Sequence, residues 1–520
     1  AMALPDLPGN PGIVEGLRRH YLGSPYRYFM DRDACNIEAM LWTYDRTGES
    51  RLLDMASESW RAVQAHLGQY QWAVPFTEAG MLGSASPAGL HGVTYAEFTK
   101  LPALLFRQTG DARQLAMAAN AHDKVFADHL LPGGAPSTSE VLSTVTSRDA
   151  HELCNVSDFN WTWGYLMMAT GNGAYGDRIE RSIFNALPGS IRKDWKALQY
   201  YSSPNQCLCD QQSDHVALMK GTPYKTIKDY RYMQRMSYRP SPGYTVVCCP
   251  GNLARALPTY VERMWMTDRS GGLVAALHGP SEVTANVGGA SVRIEAETDY
   301  PYGEVIRFKI AANRPVRFPL KLRLPAWCRA PAITVNGASV AISADRGFAT
   351  IAREWRPGDI VELRLPMEVG TSEWPDDGIA IERGPLVYSL PIGEDWTRVA
   401  DERSSDDFPA WDAAPRTRWN YGLLPANDSR KPVVSASVSN DRPWADPPTR
   451  IQVAARRVEG WDLERVALRD ERYTVTPPLP DPADLNEAPA TADTMLTLVP
   501  MASTQLRMTV FPRFKTERPS

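Results

Sequence analysis

A chain of 520 residues with net charge −4 is too long for one hydrophobic core, so about two to four domains are expected. Lysine and arginine form no run, which argues against a nucleic-acid or anionic-membrane partner, and no apolar stretch reaches the roughly 18 residues of a membrane-spanning helix. Seven cysteines, an odd number thinly spread, do not make a disulfide scaffold.

The chain opens Ala1-Met2-Ala3, so nothing is read from the lack of a leader peptide. Up to Met266 the apolar residues recur at helical spacing. Thr47-Gly48, Thr109-Gly110 and Thr170-Gly171 stand at steps of 62 and 61 residues. Each unit reads as a helix, a glycine cap, a short turn and a second helix. Helical hairpins repeated at that period build an α/α toroid. About eight helices are countable over residues 1–266, fewer than a full (α/α)6 barrel needs, so the barrel is expected to be incomplete.

After Asp268 the period changes to two, as in Ser291–Ala296, Val305–Ile310 and Asp359–Leu365. Turn signals at Asn336-Gly337 and Pro357-Gly358-Asp359 separate the runs, which predicts an antiparallel β-sandwich over residues 267–392. Residues 393–446 are rich in Trp, Pro, Asp and Arg and read as long loops, with strands returning from 447. Residues 393–520 are thus expected to form loops and a second β-sandwich region, ending in a disordered tail. The β modules are expected to buttress the toroid and to offer a homodimer surface.

Cys248 and Cys249 are adjacent, and a vicinal disulfide would close a strained ring. Two thiolates on one zinc ion is the easier chemistry. Upstream, Glu152 and Cys154 are two residues apart, so in an extended segment both face one way. Glu152, Cys154, Cys248 and Cys249 would make a Cys3Glu site. Inert buried thiols and a purely structural zinc are the competing readings, although a carboxylate ligand is unusual in a closed structural shell.

These fragments, Glu152-x-Cys154 and Cys248-Cys249-Pro250-x-Asn252-x-Ala254-Arg255, resemble glycoside hydrolase family 127, the DUF1680 group of β-L-arabinofuranosidase-like enzymes. The resemblance continues through Ile381–Tyr388, Leu324–Cys328, Val335–Gly337, Gly347–Asp359 and Trp419–Leu423. It implies a retaining exo-glycosidase acting on an oligosaccharide or glycoside, with Cys248 as a zinc-bound nucleophile and Glu152, Cys154 and Cys249 as the other ligands. It further implies that Glu140, in Gly133–Glu140, is the acid/base and that His91 contacts the sugar. Tyr201 and Asn205 resemble family residues near the site and are candidates to hold sugar hydroxyls, and Arg255 either joins them or packs against the cysteine pair.

The chain departs from the family pattern where Cys35 and Asn36 replace an expected histidine, which bears on the sugar accepted. Cys207 and Cys209 add alternative ligands, a redox pair or a pocket-shaping loop. A carboxylate hydrolase or lyase using Glu140 and Asp149 beside a structural zinc, and a silent sugar-binding relative, are the other readings.

Overall fold

The computed structural model describes residues 34, 36–210, 236–241, 248–426, 431–437, 441–463, 465–466, 472–473, 477–487 and 491–514. Cys35 and the last few residues lie outside this set.

The N-terminal part is helical. Its main helices are α1 (Asn36–Thr47), α2 (Ser50–Leu67), α3 (Glu78–Leu82), α4 (Gly92–Thr99), α5 (Leu101–Thr109), α6 (Ala112–Asp128), α7 (Leu153–Thr170), α8 (Ala174–Arg181) and α9 (Cys248–Glu262). The Thr-Gly repeat is a helix-to-helix joint used three times. Gly48, Gly110 and Gly171 follow α1, α5 and α7 at φ 68, 74 and 65°, the left-handed conformation that glycine enters most readily. In each joint the threonine hydroxyl donates to the carbonyl four residues back, at 2.9, 3.0 and 2.6 Å. The same oxygen accepts from the amide of Glu49, Asp111 or Asn172. That residue's side chain then accepts from a backbone N–H in the first turn of the next helix.

Helix α7 is apolar and buried on nearly every face and packs against α4, α5, α6, α8 and α9. Four short strands lie beside it: β1 (Thr138–Ser139), β2 (Val141–Leu142), β3 (His151–Glu152) and β4 (Tyr201–Ser202). β1 pairs with β2, and β3 pairs antiparallel with β4.

Helices give way to sheet between Glu262 and Trp265. From Trp265 to Arg364 the chain forms a five-stranded and a six-stranded sheet. Strand Ala290–Thr298 alternates buried and exposed residues, as its sequence predicts. Val292, Ile294 and Phe308 of one sheet and Leu320, Leu322 and Ile351 of the other fill a single core. The helices are fastened to this unit by Arg323, which is fully buried between Asp177 and Glu180 of α8. Glu180 also accepts from the backbone N–H of His278 at 2.8 Å and from the hydroxyl of Tyr300.

One division differs from expectation. Strands Val369–Trp374, Gly378–Arg383 and Leu386–Ile392 belong to a third, eight-stranded sheet with Thr449–Arg457, Asp493–Pro500 and Leu506–Met508. The boundary expected at 392 therefore falls inside a sheet, because these strands pair with partners some hundred residues further on that no local pattern reveals. The loop-rich stretch after it carries a hairpin of its own, Glu394–Val399 with Ala410–Pro415.

Candidate active site

Cys154 sits in the first turn of α7, and Cys248 and Cys249 open α9. Two helix N-termini thus direct partial positive charge at three sulfurs. Glu152 ends β3 and stands immediately before α7. One ligand atom each from Glu152, Cys154, Cys248 and Cys249 lies within 4.8 Å of all the others. The sulfurs of Cys154 and Cys249 are 3.3 Å apart. Cys248 Sγ is 4.0 Å from Glu152 Oε1 and 3.9 Å from the hydroxyl of Tyr200. Cys248 alone of the three is partly exposed.

Hydrogen bonds from Cys154 and Cys249 lower the Cys248 thiol to about 3, against the opposing effect of burial. Burial pushes Cys154 and Cys249 well up, and Cys248 adds to both shifts. Positive charge placed among the sulfurs would favour their thiolate forms. Three sulfurs and a buried carboxylate form a soft, anionic donor set that fits a divalent metal ion.

Beside this cluster Glu140 forms the tip between β1 and β2, at φ 74°. A side-chain-bearing residue held there signals a conformation imposed by its surroundings. Those surroundings are the α4 entry segment: Gly92 N–H donates to Glu140 O, and Leu142 N–H donates to Leu90 O, both at 2.8 Å. Gly92 is required for this approach, since a β-carbon there would lie 2.5 Å from Asn155 Oδ1 and 2.6 Å from Thr138 Cγ2. The Tyr201 hydroxyl donates to Glu140 Oε1 at 2.8 Å. His91 caps α4: Nδ1 accepts from Thr94 N–H at 3.2 Å, so the ring proton sits on Nε2, which faces Glu140 Oε2 at 3.3 Å. Thr138 ties β1 to β3 by accepting from Glu152 N–H at 3.2 Å. His91, Glu140 and Glu152 each place one N or O atom within 4.8 Å of the other two.

Residues 27–262 match the family model described as β-L-arabinofuranosidase, GH127 catalytic domain, and residues 272–367 match that of the GH127 middle domain. The chain belongs to glycoside hydrolase family 127. Among solved structures, a GH127 β-L-arabinofuranosidase from Geobacillus stearothermophilus T6 is similar, with 19% identity and a TM-score of 0.64, covering 96% of this chain and 79% of its own. A structure described as a glycoside hydrolase has 18% identity, a TM-score of 0.70 and covers 96% and 78%. A GH127 β-arabinofuranosidase has 18% identity, a TM-score of 0.64 and covers 96% and 75%. At these identities the likeness is one of fold. No curated protein matches the sequence.

As a GH127 member the protein is a glycoside hydrolase, and its catalytic-domain match contains both groups of side chains just described. Other candidates lie elsewhere. Asn205 is fully buried: Oδ1 accepts from the amides of Thr509 and Val510, and Nδ2 donates to Val510 O. Its amide joins two parts of the fold rather than facing a sugar. Cys207 lies against Met508 Sδ and Cys209 accepts from Gln199 Nε2, both in the core of the C-terminal sheet and outside the cluster. Asp149 accepts from Thr146 N–H within its own turn, and burial raises it to about 6. Arg255 pairs with Asp158 and lies over the ring of Trp161, which makes it a packing residue. Asn36 is exposed at the start of α1. Tyr200, which faces Cys248, was missed by the sequence reading. The tandem Tyr200-Tyr201 was its signal: the Tyr200 hydroxyl lies beside Cys248 and that of Tyr201 reaches Glu140.

Proposed function

We propose that this chain is a retaining exo-glycosidase of the β-L-arabinofuranosidase type acting on plant or microbial glycans. Cys248 is its nucleophile and Glu140 its acid/base, and Glu152, Cys154, Cys248 and Cys249 are the ligands of one zinc ion. One observation carries the reading: Glu152 belongs both to the sulfur cluster and to the group formed with His91 and Glu140, so thiol and acid stand beside the same carboxylate. When bound, zinc keeps its sulfur ligands deprotonated and tempers their basicity.

Cys248 Sγ, the sulfur open to solvent, attacks the anomeric carbon. The bond to the leaving oxygen breaks as Glu140 gives that oxygen its proton. The ionised carboxylate stays in place, held by His91 Nε2–H and the Tyr201 hydroxyl. Glu140 then takes a proton from a water molecule whose oxygen displaces the sulfur, which restores both groups. Two inversions leave the sugar's configuration retained. His91, the more exposed of the two partners of Glu140, is placed to meet a sugar hydroxyl as well.

The test is turnover of an aryl β-L-arabinofuranoside, with zinc content measured in parallel. Cys248→Ser is expected to lower kcat by more than about 10³-fold. Acid-quenched wild-type enzyme should carry a pentosyl mass increment on the Cys248 peptide. Undiminished turnover in Cys248→Ser, or an increment on a glutamate peptide, overturns the assignment.

A further inference from the structure

Arg507 lies in strand Leu506–Met508, beyond both matched family regions and 305 residues from Ser202. It is fully buried, and no carboxylate forms an ion pair with it among the described residues. All five of its N–H donors are used. Nη2 donates to Ser202 Oγ and to Ser203 O, both at 2.6 Å, and Nε donates to Ser203 O at 3.0 Å. Nη1 donates to Gly189 O at 2.8 Å and to Thr504 O at 3.2 Å. The backbones of Arg507 and Gln206 exchange two hydrogen bonds of 2.8 Å.

A buried cation without a counter-charge is expensive, and an apolar side chain would serve a core better. What the guanidinium fork supplies here is a rigid grip on one segment. That segment, β4 and the residue after it, carries Tyr201, whose hydroxyl reaches Glu140. We propose that Arg507 is a positioning residue for the reaction: it fixes β4 so that Tyr201 holds Glu140 where it can protonate the leaving oxygen. This rests on the reading of Glu140 as the acid.

The test compares kcat/KM on two β-L-arabinofuranosides, one with a methyl and one with a 2,4-dinitrophenyl leaving group. Methoxide needs a proton to depart, whereas dinitrophenolate does not, so a misplaced acid shows only on the first. Glu140→Gln is the reference. Arg507→Lys keeps the charge and loses the fork, and Ser202→Ala removes a single contact and serves if Arg507→Lys does not fold. Each is expected to lower kcat/KM on the methyl glycoside about 10- to 100-fold and to leave the dinitrophenyl glycoside within about threefold of wild type. Equal losses on both substrates, with Glu140→Gln still selective, overturn the role of Arg507 and leave Glu140 as the acid. Equal losses in Glu140→Gln overturn the reading of Glu140 and the proposal with it.

Discussion

Glu140 is held from both sides, by the hydroxyl of Tyr201 at 2.8 Å and by His91 Nε2 at 3.3 Å. Tyr201→Phe removes the shorter contact. It is expected to cost about 1–2 kcal/mol of transition-state stabilisation, read as roughly a 5- to 30-fold fall in kcat/KM on an unactivated glycoside. A second prediction concerns His122, fully buried between the Thr99 hydroxyl and the indole N–H of Trp163. Burial lowers it to about 3 from 6.5. The unfolded chain then binds the extra proton over that interval, so this contribution to stability is full above pH 6.5 and is lost as pH falls towards 3. Denaturant midpoints should therefore drop through that window, and more shallowly in His122→Gln. At this scale the sequence spoke through residue type. An adjacent cysteine pair and a Glu-x-Cys spacing already name a metal-binding chemistry. Asn205 misled because its letter does not say whether its amide meets a sugar or the backbone of Thr509 and Val510.

The three threonine–glycine joints were legible as spacing because a left-handed cap needs glycine at a fixed place after each helix. Beyond Gly110 and its two chain neighbours nothing lies within 4 Å of the position a β-carbon would take there, so its requirement is conformational alone. Gly110→Ala should cost about 1–2 kcal/mol in denaturant unfolding, and Gly110→Asn clearly less, since asparagine tolerates this conformation. An equal cost for both would mean that the cap is not what fixes the joint. The sulfur cluster makes a different join, between the N-termini of α7 and α9, which lie 95 residues apart at Cys154 and Cys249. If zinc occupies it, chelation should lower the melting temperature, and zinc added back should restore it. The pairing of β3 with β4 was not readable, since two-residue strands carry no periodicity.

The helical body and the sandwich meet through buried charge. Arg323 leaves the sandwich and ends between Asp177 and Glu180, both on α8. Glu180→Gln strips one partner from a fully enclosed guanidinium. It should destabilise the whole molecule by about 3–5 kcal/mol, measured as a shift in the denaturant midpoint. The change from helical to alternating periodicity near residue 266 was visible in the sequence because it is local. The assignment of residues 369–392 to the last sheet was not, because it depends on partners near residue 500.

The grip of Arg507 on Ser202 gives biosynthesis a part in when the enzyme comes to exist. A ribosome adds about 5–20 residues per second, so the 305 residues between them take roughly 15–60 s to make. For most of that interval a nascent chain would hold Glu140, Glu152 and the three clustered cysteines and still lack the strand that grips β4. A message cut short after the sandwich would yield a protein with the chemistry written in it and no fixed place to perform it.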